Sequence, residues 1–95
     1  MKARDCVFYD TNVLVYQFDK SAARKQKQAI ELIERYGFGG RAMISTQVAQ
    51  EFMNVALKGF ATQLSITELE LIIEDLLKPL CAHLIQLHTR LLHPD

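Results

Sequence analysis

The sequence predicts an α/β domain in which a short parallel sheet is flanked by helices. Short apolar runs that end at polar residues recur along the chain, as expected for strands buried on both faces. Between these runs, longer segments have apolar residues at helical spacing and capping residues at their ends. The resulting order is βααβααβ, and this order supplies the helical crossovers that parallel strands need.

The first strand and helix are predicted around an acidic residue. The run "CVFY", residues 6–9, is continuously apolar and ends at Asp10, which suits a buried strand. The next apolar run, residues 13–18, fits either structure by periodicity. Because Asp10, Thr11 and Asn12 are capping types, a short helix is the better interpretation.

The second helix is predicted over residues 22–36. Ser21 is placed to cap it, and Gly37 is placed to end it in a left-handed conformation. Its inner stripe is expected to be Ala29, Ile30, Ile33 and Tyr36.

A second strand and a third helix follow the glycines. The run "AMIS", residues 42–45, predicts another short buried strand. Ser45 or Thr46 then caps a helix that continues to about Lys58, and Gly59 ends it.

The clearest local signature is the segment "LSITELEL". Ser65 and Glu68 have the spacing of a capping box, and Pro79 is predicted to end the helix that follows. The run "CAHLIQL", residues 81–87, then predicts a third strand. The apolar face of the capped helix is Ile66, Leu69, Ile72, Ile73, Leu76 and Leu77.

Length and composition predict one small domain, residues 1–95. Of the 95 residues, 49% are hydrophobic, which is enough for a modest core. The 11 basic and 11 acidic residues balance, and this neutrality argues against tight non-specific binding to nucleic-acid phosphates. The basic stretch "KSAARKQKQ" could contact RNA phosphates, but a solvated helix face is the better interpretation.

The cysteines and the amino-terminal segment predict a soluble cytoplasmic protein. Cys6 and Cys81 lie far apart and match no metal-ligand spacing, which favours a reducing compartment. The segment "MKARDCVFYD" contains no long apolar run, so we expect neither a signal peptide nor a membrane span.

Two acidic residues are candidates for a metal site. Asp10 follows the first predicted strand, and ligands of open parallel sheets gather at the carboxyl ends of strands. Glu51 lies on the helix that begins at the carboxyl end of the second strand. Two carboxylates at one sheet edge would repel each other unless a cation lay between them. Oxygen ligands favour Mg²⁺ or Mn²⁺ over Zn²⁺.

These acids lie in two segments that carry a family resemblance. The segments "FYDTNVLVYQFD" and "ISTQVAQEFMNV" resemble the first two acidic motifs of PIN-domain ribonucleases, particularly the VapC-like toxins of type II toxin–antitoxin systems. The triplet Asp-Thr-Asn is weak evidence by itself, and so is a single Gln-Val-x-x-Glu-Phe. Their order, separation and βααβα context make the combination stronger.

The resemblance implies a three-layer PIN-like fold and a metal-dependent endoribonuclease that hydrolyses RNA phosphodiesters. Asp10 and Glu51 match the catalytic acids that bind Mg²⁺ or Mn²⁺, and Thr11 and Asn12 match residues that could orient the carboxylate. The implied partners are an RNA substrate, a cognate antitoxin protein and a second copy of the chain. Residues 66–77 offer the apolar surface for such a homodimer.

The resemblance also implies that this sequence corresponds to part of the usual family domain. Family members continue past the third strand with another helix, a further acidic motif and another strand. Residues 1–95 therefore correspond to the amino-terminal two-thirds of the usual domain, with two of the three or four usual acids; Asp95 is not one of them. The alternative is a catalytically inactive, truncated relative that retains an antitoxin-binding or dimerisation surface. A third possibility is a general α/β binding domain in which both acids have only capping or surface roles.

The histidines have a simpler interpretation than metal binding. His83, His88 and His93 recur every five residues, which turns neighbours to different faces of a helix or a strand. We therefore expect structural or solvent-exposed roles for them. Glu74 and Asp75 are expected on the solvated face of the capped helix.

Overall fold

The computed structural model of this protein describes residues 6–59 and 63–92. Within these residues the strands are Val7–Phe8 (β1) and Ala42–Met43 (β2). The α-helices are Thr11–Tyr16 (α1), Ala23–Tyr36 (α2), Thr46–Lys58 (α3), Ile66–Leu71 (α4) and Lys78–Leu92 (α5). A 3₁₀ turn, Gly37–Gly39, follows α2, and a π-helical segment, Ile72–Leu77, joins α4 to α5. The fold is α/β and mostly helical.

The sheet consists of β1 and β2 in parallel, and these are its two strands within the described residues. Val7 lies opposite Ala42, and Phe8 lies opposite Met43. Beyond the strand ends, the N–H of Tyr9 donates to the carbonyl of Met43 at 3.1 Å. The first two predicted strands are confirmed, although each is shorter than its apolar run.

The predicted third strand is wrong, because residues 81–87 lie inside α5. This helix nevertheless covers the outer edge of β2. Nδ1 of His83 contacts the carbonyl oxygen of Ala42 at 2.6 Å, and the N–H of Ile44 donates to the carbonyl of Leu80 at 3.3 Å. A short apolar run suits a buried helix as well as a strand, and the edge groups of β2 are satisfied without another strand.

The prediction that Pro79 ends the helix is also wrong. Residues 66–92 form one continuous helical rod, with Pro79 at the second position of α5. Just before the proline, the N–H of Lys78 donates to the carbonyl of Ile73, five residues back. This wider π-helical ladder precedes a residue that has no N–H to donate, so the chain continues past proline without breaking the rod.

The start of α2 differs from the prediction in its cap. Its N-cap residue is Ala22, and no side chain caps it. Ser21 instead donates from its N–H and its hydroxyl to Oδ1 of Asp19, a local turn that competes with capping. Gly37 has a right-handed φ of −67°, and the left-handed residue is Gly40, with φ of 73°.

The predicted caps of α3 and α4 are confirmed. The side chain of Ser45 accepts from the N–H of Val48 at 3.1 Å, and α3 ends at Gly59 as predicted. Both bonds of the capping box are present: Ser65 accepts from the N–H of Glu68, and Glu68 accepts from the N–H of Ser65. These caps satisfy backbone donors that the first turn of a helix leaves without partners.

The core lies between the sheet and the helices that surround it. Its largest fully buried side chains are Phe52, Leu14, Met43 and Ile44. The ring of Phe52 packs against that of Phe18 at a centroid distance of 5.9 Å. This packing holds the segment that follows α1 against α3. Over the described residues, no helix is long and apolar enough to cross a membrane.

Candidate functional site

Asp10 lies just beyond β1, at the junction with α1. Its backbone is extended, and its Oδ1 accepts a hydrogen bond from the N–H of Val13 at 3.0 Å. Asp10 is therefore the N-cap of α1, as the simpler interpretation expected. Within the described part of the chain, Oδ2 accepts no hydrogen bond. The cap thus fixes the carboxylate and leaves one oxygen open to solvent.

Glu51 is held by donors from two helices. The hydroxyl of Thr11 donates to Glu51 Oε2 at 2.8 Å, across 40 positions in sequence. The amide of Gln47, one turn earlier on α3, donates to Oε1 at 3.3 Å. The structure therefore joins the two acidic segments directly through Thr11, the residue that follows Asp10.

Buried side chains next to the site set this contact. Leu14, one turn beyond Thr11 on α1, is completely buried, and so is Phe52, which follows Glu51 on α3. Because neither side chain can rotate away without opening a cavity, the two helices have a fixed relative position. The exposed Thr11–Glu51 hydrogen bond lies at the rim of this packed interface.

Two further residues lie near the site: Asn12, which was predicted to belong to it, and Gln47, which was not. Asn12 is exposed, and among the described residues it forms no hydrogen bond with either acid. Its predicted orienting role stays untested. Gln47 was not predicted as a site residue. The available signal was its i, i+4 spacing to Glu51 on one helix face.

Asp10 and Glu51 offer carboxylate oxygens, the ligand type of a sparse magnesium site, and not the ligands of a dense metal cage. Within residues 6–59 and 63–92, no group of three or more His, Cys, Asp or Glu side chains is arranged to hold a metal ion. Magnesium commonly keeps several of its waters and takes only one or two protein carboxylates. The open Oδ2 of Asp10 and the remaining lone pairs of Glu51 suit that type of binding.

The described histidines, Cys81 and Tyr9 lie in environments that suit structural roles. His83 contacts the β2 edge, His88 is exposed on α5, and His93 lies outside the described residues. Burial raises the pKa of the Cys81 thiol, which disfavours the nucleophilic thiolate. Burial, and then the nearby Tyr36, raise the pKa of Tyr9 to about 12.

The raised pKa values of Tyr9 and Cys81 therefore make both groups unsuited to act as an acid or base near neutral pH. The hydroxyl of Tyr9 donates to the carbonyl of Leu32 at 2.6 Å, which ties the end of β1 to α2. Cys6 and Cys81 form no disulfide. Of the predicted reactive residues, only Asp10 and Glu51 have exposed, ionisable oxygens beside the sheet.

Comparisons with protein-family models, with curated proteins and with solved structures found no match to this chain. The resemblance to PIN-domain ribonucleases therefore rests on the two sequence motifs. The arrangement of Asp10, Thr11 and Glu51 is the geometric observation that bears on it.

Proposed function

We propose that this chain is a PIN-like, metal-dependent endoribonuclease of toxin–antitoxin type. In this proposal Asp10 and Glu51 bind Mg²⁺ or Mn²⁺, and the fold has the three-layer arrangement of that family. The observation that carries the proposal is the hydrogen bond from Thr11 to Glu51 at 2.8 Å. It connects the two segments that carry the family resemblance at the carboxyl ends of the strands, where ligands of parallel sheets bind.

The purely structural alternative explains less of this arrangement. Capping of α1 requires only one oxygen of Asp10, and it requires no contact with α3. A surface glutamate on α3 likewise needs no partner from α1. Capping and surface roles alone therefore do not account for the orientation of Glu51 towards the Asp10 segment.

Each residue has a defined task in the proposed mechanism. The N–H of Val13 fixes Oδ1 of Asp10, and Oδ2 would be the oxygen that holds the ion. Thr11 and Gln47 hold the two oxygens of Glu51 and restrict its rotamers. When bound, the ion offsets charge on the phosphodiester and increases the acidity of a water molecule. Because both acids are exposed, a polymeric substrate can approach them.

The proposal is tested by magnesium-dependent RNA cleavage. Asp10→Asn keeps an oxygen that can accept from Val13, so the helix cap survives while the charge is lost. We expect Asp10→Asn and Glu51→Gln to lower the cleavage rate about 100-fold or more. Asp75→Asn, which removes an exposed acid from the π-helical segment, should cleave like the unmodified chain. Full activity in Asp10→Asn would contradict the proposal.

Metal binding can be measured separately from turnover. A ligand that binds only the folded state raises its apparent stability, by about 2.7 kcal/mol at 100 times its dissociation constant. We expect manganese to raise the melting temperature of the unmodified chain and not that of Asp10→Asn. An unchanged melting temperature in both would favour the general binding domain.

A second candidate function is protein binding, either to a cognate antitoxin or to another copy of the chain. An apolar groove of about 340 Å³ lies between β1 and α5 and favours it. Phe8 in this groove is 60% exposed. The groove is lined by Phe8, Leu84, Leu87, His88, Leu91 and Leu92.

The predicted homodimer surface on residues 66–77 is less extensive than its apolar pattern suggested. Leu77 is buried and most of the stripe packs on the core, while Ile66 and Leu71 are 76% and 53% exposed. Light scattering over a concentration series tests dimerisation, and titration with the product of the neighbouring gene tests antitoxin binding. A monomer at every concentration that also ignores this product would exclude the second candidate.

A further inference from the structure

We infer that a small pocket at the amino end of β2 binds a phosphate group. The pocket has a volume of about 190 Å³ and is lined by Gly39, Gly40, His83, Gln86 and Arg90. Gly39 and Gly40 precede β2, whereas the helix that carries Glu51 follows it. The pocket therefore lies at the end of the strand opposite to the acidic site.

Three polar side chains of the pocket come from one face of α5. His83, Gln86 and Arg90 are spaced by three and four residues, so they lie above one another on successive turns. Arg90 brings a guanidinium group, whose positive charge and planar fork match the oxygens of a phosphate. Among the described residues, no carboxylate lines the pocket or pairs with Arg90.

The contact of His83 with β2 fixes its tautomer. The carbonyl oxygen of Ala42 can only accept, so the ring nitrogen Nδ1, at 2.6 Å, carries the hydrogen. Nε2 is consequently the nitrogen available to a ligand. A neutral Nε2 accepts from a P–OH group, and a protonated Nε2 donates to a P–O group.

Gly39 and Gly40 line the pocket with backbone atoms. A Cβ atom placed on Gly39 or Gly40 would meet no other atom within 4 Å, so the space beside both residues is open. Gly40 has φ of 73°, a conformation that side chains rarely adopt. An anion can therefore approach the backbone on this side without displacing a side chain.

Size and charge together indicate the ligand class. A volume of about 190 Å³ is enough for the five heavy atoms of a phosphate group. The ligand is either free phosphate or the terminal phosphate of a nucleotide. If a nucleotide bound through its terminal phosphate, its sugar and base would lie outside the pocket.

The inference is tested by titrating the full chain with inorganic phosphate while recording amide NMR spectra. EDTA is present and RNA is absent, so the result does not depend on the acidic site or on the proposed ribonuclease activity. We expect saturable shifts at Gly39, Gly40, Gln86 and Arg90. The same shifts with sodium chloride at equal ionic strength would overturn the inference. A nucleoside 5′-monophosphate, compared with its nucleoside, distinguishes the two sources of phosphate.

Variants locate the binding. Arg90→Gln should weaken phosphate binding about tenfold, because it removes a charge-assisted hydrogen bond. Arg24→Gln removes the same charge from the first turn of α2 and should bind like the unmodified chain. Equal affinity in these two variants would overturn the inference. Gly39→Asp places a negative charge in the pocket at a residue without positive φ, and we expect it to abolish binding. Unchanged phosphate affinity in Gly39→Asp would also overturn the inference.

Discussion

The hydrogen bond between Thr11 and Glu51 can be tested by a double-mutant cycle. Thr11→Val keeps the shape of the side chain and removes the donor, and Glu51→Gln removes the charge of the acceptor. The bond is 2.8 Å long, exposed, and joins positions 40 residues apart, so its loss does not alter local helix propensity through an i, i+4 contact. The measured coupling therefore reports the tertiary contact between α1 and α3.

The expected magnitude follows from the length and exposure of the bond. A hydrogen bond to a charged group contributes about 1.5–3 kcal/mol, and an ordinary one contributes about 0.5–1.5 kcal/mol. Because solvent competes for both partners at this rim, we expect about 1 kcal/mol for Thr11→Val. With a denaturant slope of about 2 kcal/mol/M, the midpoint of urea unfolding should fall by about 0.5 M.

The assay is equilibrium urea unfolding of the unmodified chain, both single variants and the double variant. We expect a coupling free energy of about 0.5–1.5 kcal/mol. Thr67→Val is the matched control, because Thr67 is exposed in the first turn of α4. A coupling below about 0.3 kcal/mol, or an equal loss in Thr67→Val, would refute the structural reasoning.

Three further predictions concern stability. Phe52→Ala should lower the free energy of unfolding by about 3–5 kcal/mol, because it opens a cavity beside Phe18. Urea unfolding measures this loss, and a loss below about 1 kcal/mol would contradict the complete burial of Phe52. Ser65→Ala should cost about 1 kcal/mol by breaking the capping box, while restoration by Ser65→Asp would separate capping from any other effect. In the unmodified chain, the free energy of unfolding should decrease between pH 10 and about pH 12, because the unfolded state releases the Tyr9 proton at a lower pH than the folded state does. Tyr9→Phe should lack this pH-dependent loss. Identical pH profiles for the two chains would exclude a contribution from Tyr9.

The local elements near the acidic site could be read from the sequence because short-range chemistry determines them. Asp10, Ser45 and Ser65 each supply a side-chain oxygen to the first turn of a helix, and all three caps occur as predicted. The failure at Ser21 is also local. Asp19 accepts both of its hydrogen bonds, and sequence spacing alone did not rank that turn against a cap.

The carboxyl-terminal part of the fold could not be read in the same way. The run at residues 81–87 is compatible with a strand and with a buried helix, and its outcome depends on what it packs against. His83 and Leu80 satisfy the outer edge of β2 from a helix, so burial was achieved without strand pairing. Pro79 was tolerated because the π-helical ladder before it had already shifted register.

The sequence by itself determined the α/β class, the first strands and helices, and the identity of Asp10 and Glu51 as candidate acids. These features depend on periodicity and on capping residues within a few positions of one another. Only the tertiary structure decided that Thr11 holds Glu51, and that α5 covers β2. Contacts across 40 residues depend on how buried side chains such as Leu14 and Phe52 fix the helices in space, and no local pattern encodes that geometry.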